Sequence, residues 1–115
     1  MKLPNGSKAY IPPEKLTGYL LSETHVIGKA KAKFFRALGF DEANVNLLQT
    51  ELLTLAKTGD VNESVSSVHG TKYVIDGTIQ TPKGGIATIR TVWIIEIDQE
   101  IPRFVTAYPI KQKND

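Results

Sequence analysis

The sequence predicts an α+β domain in which N-terminal helices pack on a four-stranded antiparallel β-meander. Apolar residues recur at helical spacing as far as Gly59 and alternate from Asp60 onward. Short turns at His69-Gly70, Pro82-Lys83-Gly84-Gly85 and Asp98-Gln99-Glu100 divide the second half into segments close enough for antiparallel pairing. Residues 86–109, IATIRTVWIIEIDQEIPRFVTAYP, form the densest β-branched and aromatic run and contain the only tryptophan, so the sheet centres there.

A chain of 115 residues fits one domain spanning 1–115, mainly helical over 1–59 and sheet over 60–110. An apolar fraction of 41% with 23% charged residues supplies enough burial for autonomous folding. The absence of cysteine excludes disulfides, thiolate metal sites and zinc fingers, and fits a reducing cytoplasm as the expected location, with no cofactor expected. Neither the N-terminus nor any other stretch approaches the roughly 20 apolar residues of a spanning helix, so no membrane partner is expected. A net charge of +2 leaves nucleic-acid binding to the distribution of lysines and arginines rather than to their sum.

Asn5-Gly6 is a turn dipeptide, and the following Ala9 to Ile11 suits an edge strand that clasps the sheet. Pro13 suits the first turn of a helix over 13–21, because that turn needs no amide hydrogen. Leu16, Tyr19 and Leu20 form its buried stripe, and Glu14 sits near the positive end of its dipole. A second helix is predicted over 26–38, closed by Gly39 as a left-handed cap. On it Ile27, Ala30, Phe34, Ala37 and Leu38 gather on one face, with Lys29, Lys33 and Arg36 opposite. A third helix, with Asp41 as N-cap, runs over 41–57 and buries Val45, Leu48, Leu52 and Leu55. Strands follow over 60–68, 71–80, 86–97 and 103–110, and the tail KQKND is expected to be polar and frayed.

Pairing Ile97 with Pro102 places Ile95 opposite Phe104, Trp93 opposite Thr106 and Thr91 opposite Tyr108. Arg90, Val92, Ile94, Val105 and Ala107 then occupy the other face. Both faces are largely apolar, which implies helices on one side and a partner, a second copy or the N-terminal segment on the other.

Candidate chemistry begins with the basic stripe Lys29, Lys33 and Arg36, flanked by Lys31 and His25, which suits an RNA backbone or phosphate and equally suits a solvated helix face. His25, beside Glu23 and Thr24, has the side chain for acid-base work and the position of a helix cap. His69 reads as a turn residue tolerant of left-handed φ. Arg90, in a central strand, needs a partner or an anion; Asp76 is the better placed carboxylate and Glu96 the alternative. Thr91, Thr106 and Tyr108 offer hydroxyls but are also good strand formers. The Gly84-Gly85 pair lacks a following helix and a Gly-Lys-Ser/Thr pattern, so it reads as a hairpin turn and not a phosphate loop.

The run KLPNGSKAYIPPEKLTGYLL, then H..GK.KAKFFRALGF, GTKYVIDG, IRTVWIIE and PRFVTAYP, resembles a family of small uncharacterised bacterial proteins carried as a domain of unknown function. The resemblance covers almost the whole chain. More distantly, the helical first half, the four-stranded sheet and the final VTAYP strand are similar to the barnase, EndoU, colicin and RelE group of RNases. That second resemblance implies metal-independent RNA cleavage through a cyclic phosphate, within an RNase-like toxin module neutralised by a small partner protein. It implies His25 as acid or base, Lys29 and Arg90 as phosphate stabilisers, and Thr106 with Tyr108 as positioning groups. The competing reading is a non-catalytic binding module, the partner half of such a pair or a homodimer, using the apolar sheet face. RNA, a small neutralising protein and a second copy of the chain are therefore the partners to consider.

Overall fold

The computed structural model describes residues 1–110; the polar tail at 111–115 lies outside the described residues. Helices α1 (Lys29–Ala37) and α2 (Val45–Thr58) precede strands β1 (Val61–Ser67), β2 (Gly70–Gln80), β3 (Ile86–Glu96) and β4 (Arg103–Pro109). The strands form one antiparallel sheet in the order β1-β2-β3-β4, so the fold is the α+β meander that the change of period predicts.

The N-terminal segment lies along the edge of β4. Tyr10 bridges Arg103, its amide donating to the Pro102 carbonyl at 3.1 Å and its carbonyl accepting from the Phe104 amide at 3.0 Å. This is the edge clasp expected around Ala9 to Ile11. The helix expected over 13–21 is instead a 3-10 turn, Pro13–Lys15, running into a π-helical turn, Leu16–Leu20, closed by the Leu21 amide on the Leu16 carbonyl at 2.9 Å. The wider turn still buries Leu16, Leu20 and Leu21 together.

Helix α1 begins at Lys29, three residues later than predicted, because 26–28 form the capping turn. Its buried side is Ala32 and Phe35, whereas Ile27 is 66% exposed and Ala30 and Ala37 face solvent. Alternating lysine and alanine over 29–33 leaves the rotation of this helix undecided by pattern, and the fully buried Phe35 decides it. Gly39, at φ 103, ends the helix in the left-handed region, its amide donating to the Arg36 carbonyl at 3.0 Å. Helix α2 starts at Val45; Asp41 accepts from the Ala43 amide at 2.8 Å and so caps the turn before it. Leu48, Leu52, Leu55 and Ala56 are its buried face, with Val45 half-covered beside them.

The β3–β4 hairpin departs from the predicted register. Trp93 pairs with Phe104 and Val92 with Thr106, so Val105 is the extra residue of a bulge. Beyond it Thr91 faces Ala107 and Arg90 faces Tyr108. Trp93 and Thr91 therefore share the helix-facing side with Phe104 and Ala107, while Thr106 and Tyr108 join Arg90 on the open side. Trp93 is fully buried, edge-on to Phe104 with ring centroids 5.2 Å apart. The β1–β2 turn also differs in detail, because Gly70 and not His69 takes the positive φ, at 140°.

Candidate functional site

The site assembles where α1 begins, against the π turn and the β4 edge. His25 caps the turn that leads into α1: the Ile27 and Gly28 amides donate to its Nδ1 at 3.1 and 3.0 Å, and its own amide donates to Ser22 Oγ at 3.1 Å. An Nδ1 that accepts two N–H bonds places the ring proton on Nε2, so the cap sets both orientation and tautomer. Gly28 makes the close approach possible, since a Cβ there would lie 2.3 Å from the Tyr19 carbonyl oxygen.

Tyr19 is the hub of this corner. Its ring stands at 83° to the His25 imidazole with centroids 5.2 Å apart, and its hydroxyl hydrogen-bonds the Thr106 hydroxyl at 2.9 Å. Two ammonium groups lie over the same ring, Lys15 Nζ at 5.0 Å and Lys31 Nζ at 5.7 Å from its centroid. From Thr106 the polar line continues along the open side of β4 to Tyr108, two residues on, and to Arg90 opposite it.

Arg90 makes a bidentate pair with Asp76, Nε to Oδ1 at 2.7 Å and Nη2 to Oδ2 at 2.9 Å, as the sequence favoured. The Asp76 hydrogen bonds hold the guanidinium well above its ordinary pKa, and the neighbouring Tyr108 adds to this. This pairing occupies two of the five N–H donors of Arg90. Glu96, the alternative partner, instead accepts from Arg103 Nη2 at 2.6 Å.

Lys29 stands apart from this line. With Glu23, Ala30, Lys33, Arg36 and Ala37 it borders a depression of about 600 Å³ on the solvent side of α1. Arg36 is tied down there, donating from Nε and Nη2 to the Leu21 carbonyl at 3.0 and 2.8 Å and pairing with Glu42 and Glu23. Of the predicted residues, the structure thus links His25 to Thr106 through Tyr19, sets Tyr108 beside Arg90, and puts Lys29 on a different face. Tyr19 and Lys15 were not singled out as a site by sequence, and Lys31 only as a flank of the basic stripe. The Lys15–Tyr19 spacing of four was a readable signal, but Lys31 joins them only through tertiary packing. Among the described residues, no three His, Asp or Glu side chains are grouped to hold a metal ion, and no helix is long and apolar enough to cross a membrane.

The family model described as Domain of unknown function (DUF6883) matches residues 2–111. No curated protein matches the chain. A solved structure titled as a contact-dependent growth inhibition toxin–immunity protein complex from Klebsiella pneumoniae 342 contains a chain of the same fold. It superposes with a TM-score of 0.71 at 13% identity, covering 94% of this chain and 98% of that one.

Proposed function

The chain belongs to the DUF6883 family of domains of unknown function, and from that premise we propose that it is a single RNase-like toxin module that cleaves RNA without a metal. The observation that carries this reading is the convergence on Tyr19 of the His25 imidazole and, through a 2.9 Å hydroxyl pair, of Thr106. The neighbour is one chain of a toxin–immunity complex, which supports a role in such a pair, as toxin or as the partner half; we take the toxin half, with a small neutralising protein as its partner.

In this chemistry the ribose 2′-oxygen loses its proton and bonds to phosphorus, the phosphorus–5′-oxygen bond breaks, and the 5′-oxygen gains a proton. Negative charge grows on the phosphoryl and departing oxygens, so positioned donors accelerate the reaction. His25 offers Nε2–H, because Nδ1 is engaged in the cap. The cap therefore narrows its role from general acid or base to a hydrogen bond from Nε2–H to the phosphoryl oxygens, and water supplies the proton that the 5′-oxygen gains. In this reading the Thr106 and Tyr19 hydroxyls relay the 2′-proton to solvent, Tyr108 positions the substrate along β4, and Arg90 stands opposite Tyr108 on the same side of the sheet. Lys29 contributes from the neighbouring depression as a contact to RNA outside the reacting centre.

A second reading is a binding module that uses the open sheet face. It is favoured by the exposure of Val65 at 56% and the incomplete burial of Val74 and Val92 on that side. Induced expression in a bacterial host separates the two. The wild type is expected to arrest growth with fragmented RNA, and the purified domain to cut a ribo-oligonucleotide in excess EDTA. His25→Asp, which keeps a capping acceptor but removes the imidazole, is expected to stay folded and lose both effects. Normal growth and intact RNA with the wild type would sink the RNase reading and leave the sheet face as the site.

A further inference from the structure

We propose that Lys15 and Lys31 form the subsite that holds an RNA phosphodiester against the Tyr19 corner; the choice of RNA as ligand rests on the RNase reading. The lysines come from separate elements, Lys15 from the 3-10 turn before Tyr19 and Lys31 from the shoulder of α1 beside the buried Ala32. Both are half-buried, and both ammonium groups lie within 5.7 Å of the centroid of one ring. Among the described residues neither ammonium is ion-paired with a carboxylate, so the fold sets two uncompensated cations against one ring. The acids nearby in sequence do not neutralise them: Glu23 is turned to Arg36 at 3.6 Å, and Glu14 is exposed with no ion pair among the described residues.

An anion at this corner supplies the counter-charge that both ammoniums lack. The same Tyr19 side chain contacts the His25 imidazole and hydrogen-bonds Thr106, so all four groups share one aromatic hub. Arg90, by contrast, already has its anion in Asp76. The phosphate role that residue chemistry alone suggested for Lys29 and Arg90 thus passes to Lys15 and Lys31.

The probe is a short, fluorescently labelled 2′-O-methyl RNA oligonucleotide, which presents RNA phosphates but no 2′-hydroxyl to react. Anisotropy is measured across a salt series. Lys15→Gln and Lys31→Gln are each expected to weaken binding several-fold and to lower the slope of log affinity against log salt by about 0.7. Lys15→Arg and Lys31→Arg should retain the slope, and Lys57→Gln on α2 should change neither quantity. Circular dichroism checks that each variant is folded. Wild-type affinity and slope in both Gln variants would overturn the subsite. Parallel incubation with the all-ribose oligonucleotide keeps the two readings separate. Lysine-dependent binding without cleavage keeps the subsite and removes the RNase activity, whereas cleavage with unaltered binding in the Gln variants does the reverse.

Discussion

Thr91 is the buried side chain on which the polar accounting of the core turns. The Trp93 indole N–H donates to Thr91 Oγ1 at 2.9 Å, and that hydroxyl donates to the Ile75 carbonyl at 2.9 Å. Thr91→Val keeps the shape but leaves the indole N–H buried without this acceptor, so a loss of about 1–3 kcal/mol is expected in chemical denaturation. An unchanged midpoint would show that the indole finds another acceptor. At the surface, Glu42 reports on Arg36. The Arg36 hydrogen bond holds its carboxyl below the ordinary 4.5. A depressed folded pKa contributes stability above the unfolded pKa, and that contribution is lost as pH falls through the lower folded value. Carboxyl NMR titration should show Glu42 below 4.5 in the wild type and closer to it in Arg36→Gln, where only the backbone hydrogen bond still lowers it. Equal titration in the two proteins would mean that the pair does not persist in solution.

The start of α1 is the element on which the candidate site depends. Gly28 lets the capping turn close on Tyr19, and an added Cβ 2.3 Å from the Tyr19 carbonyl oxygen forces the two apart. Gly28→Ala is expected to cost about 1–3 kcal/mol and to speed hydrogen exchange of the Ile27 and Lys29 amides while sparing α2. Unaltered exchange at those amides would show that the approach is not needed. The β3–β4 hairpin makes a complementary point about legibility. Its two strands and its turn were readable from alternation and from Asp98, which takes φ 63 in the structure. The bulge at Val105 was not readable, because no residue there departs from good strand-forming character. One extra residue exchanged the faces of Thr106 and Ala107, and with them the composition of the candidate site. His25 was recognisable as capping or catalytic from its position before a helix, but only the contact with Tyr19 places it near Thr106.

Across the whole molecule, protection should follow sheet position. β2 and β3 pair along their full length, from Gly70 with Glu96 to Gln80 with Ile86, and carry Ile75, Ile89 and Trp93 into the core. β1 is an edge strand, exposed over most of its length. Native-state hydrogen exchange is therefore expected to be slowest at the central amides of β2 and β3 and much faster in β1. Comparable protection in β1 would indicate that a partner or a second copy covers that edge.

By itself the sequence determined the α+β class, the order of α-helices and strands and the turns, and it marked Asp76 as the better placed carboxylate for Arg90. These follow from local rules: apolar period, glycine and proline chemistry, and the demand of a strand arginine for a carboxylate. The tertiary structure alone decided which side of α1 is buried, which hydroxyls of β4 face Arg90, and that Lys15, Lys31, His25 and Thr106 meet around Tyr19. The lysine–alanine alternation is nearly symmetric about the helix axis, a bulge reverses faces without a compositional trace, and the groups around Tyr19 come from segments joined only by packing.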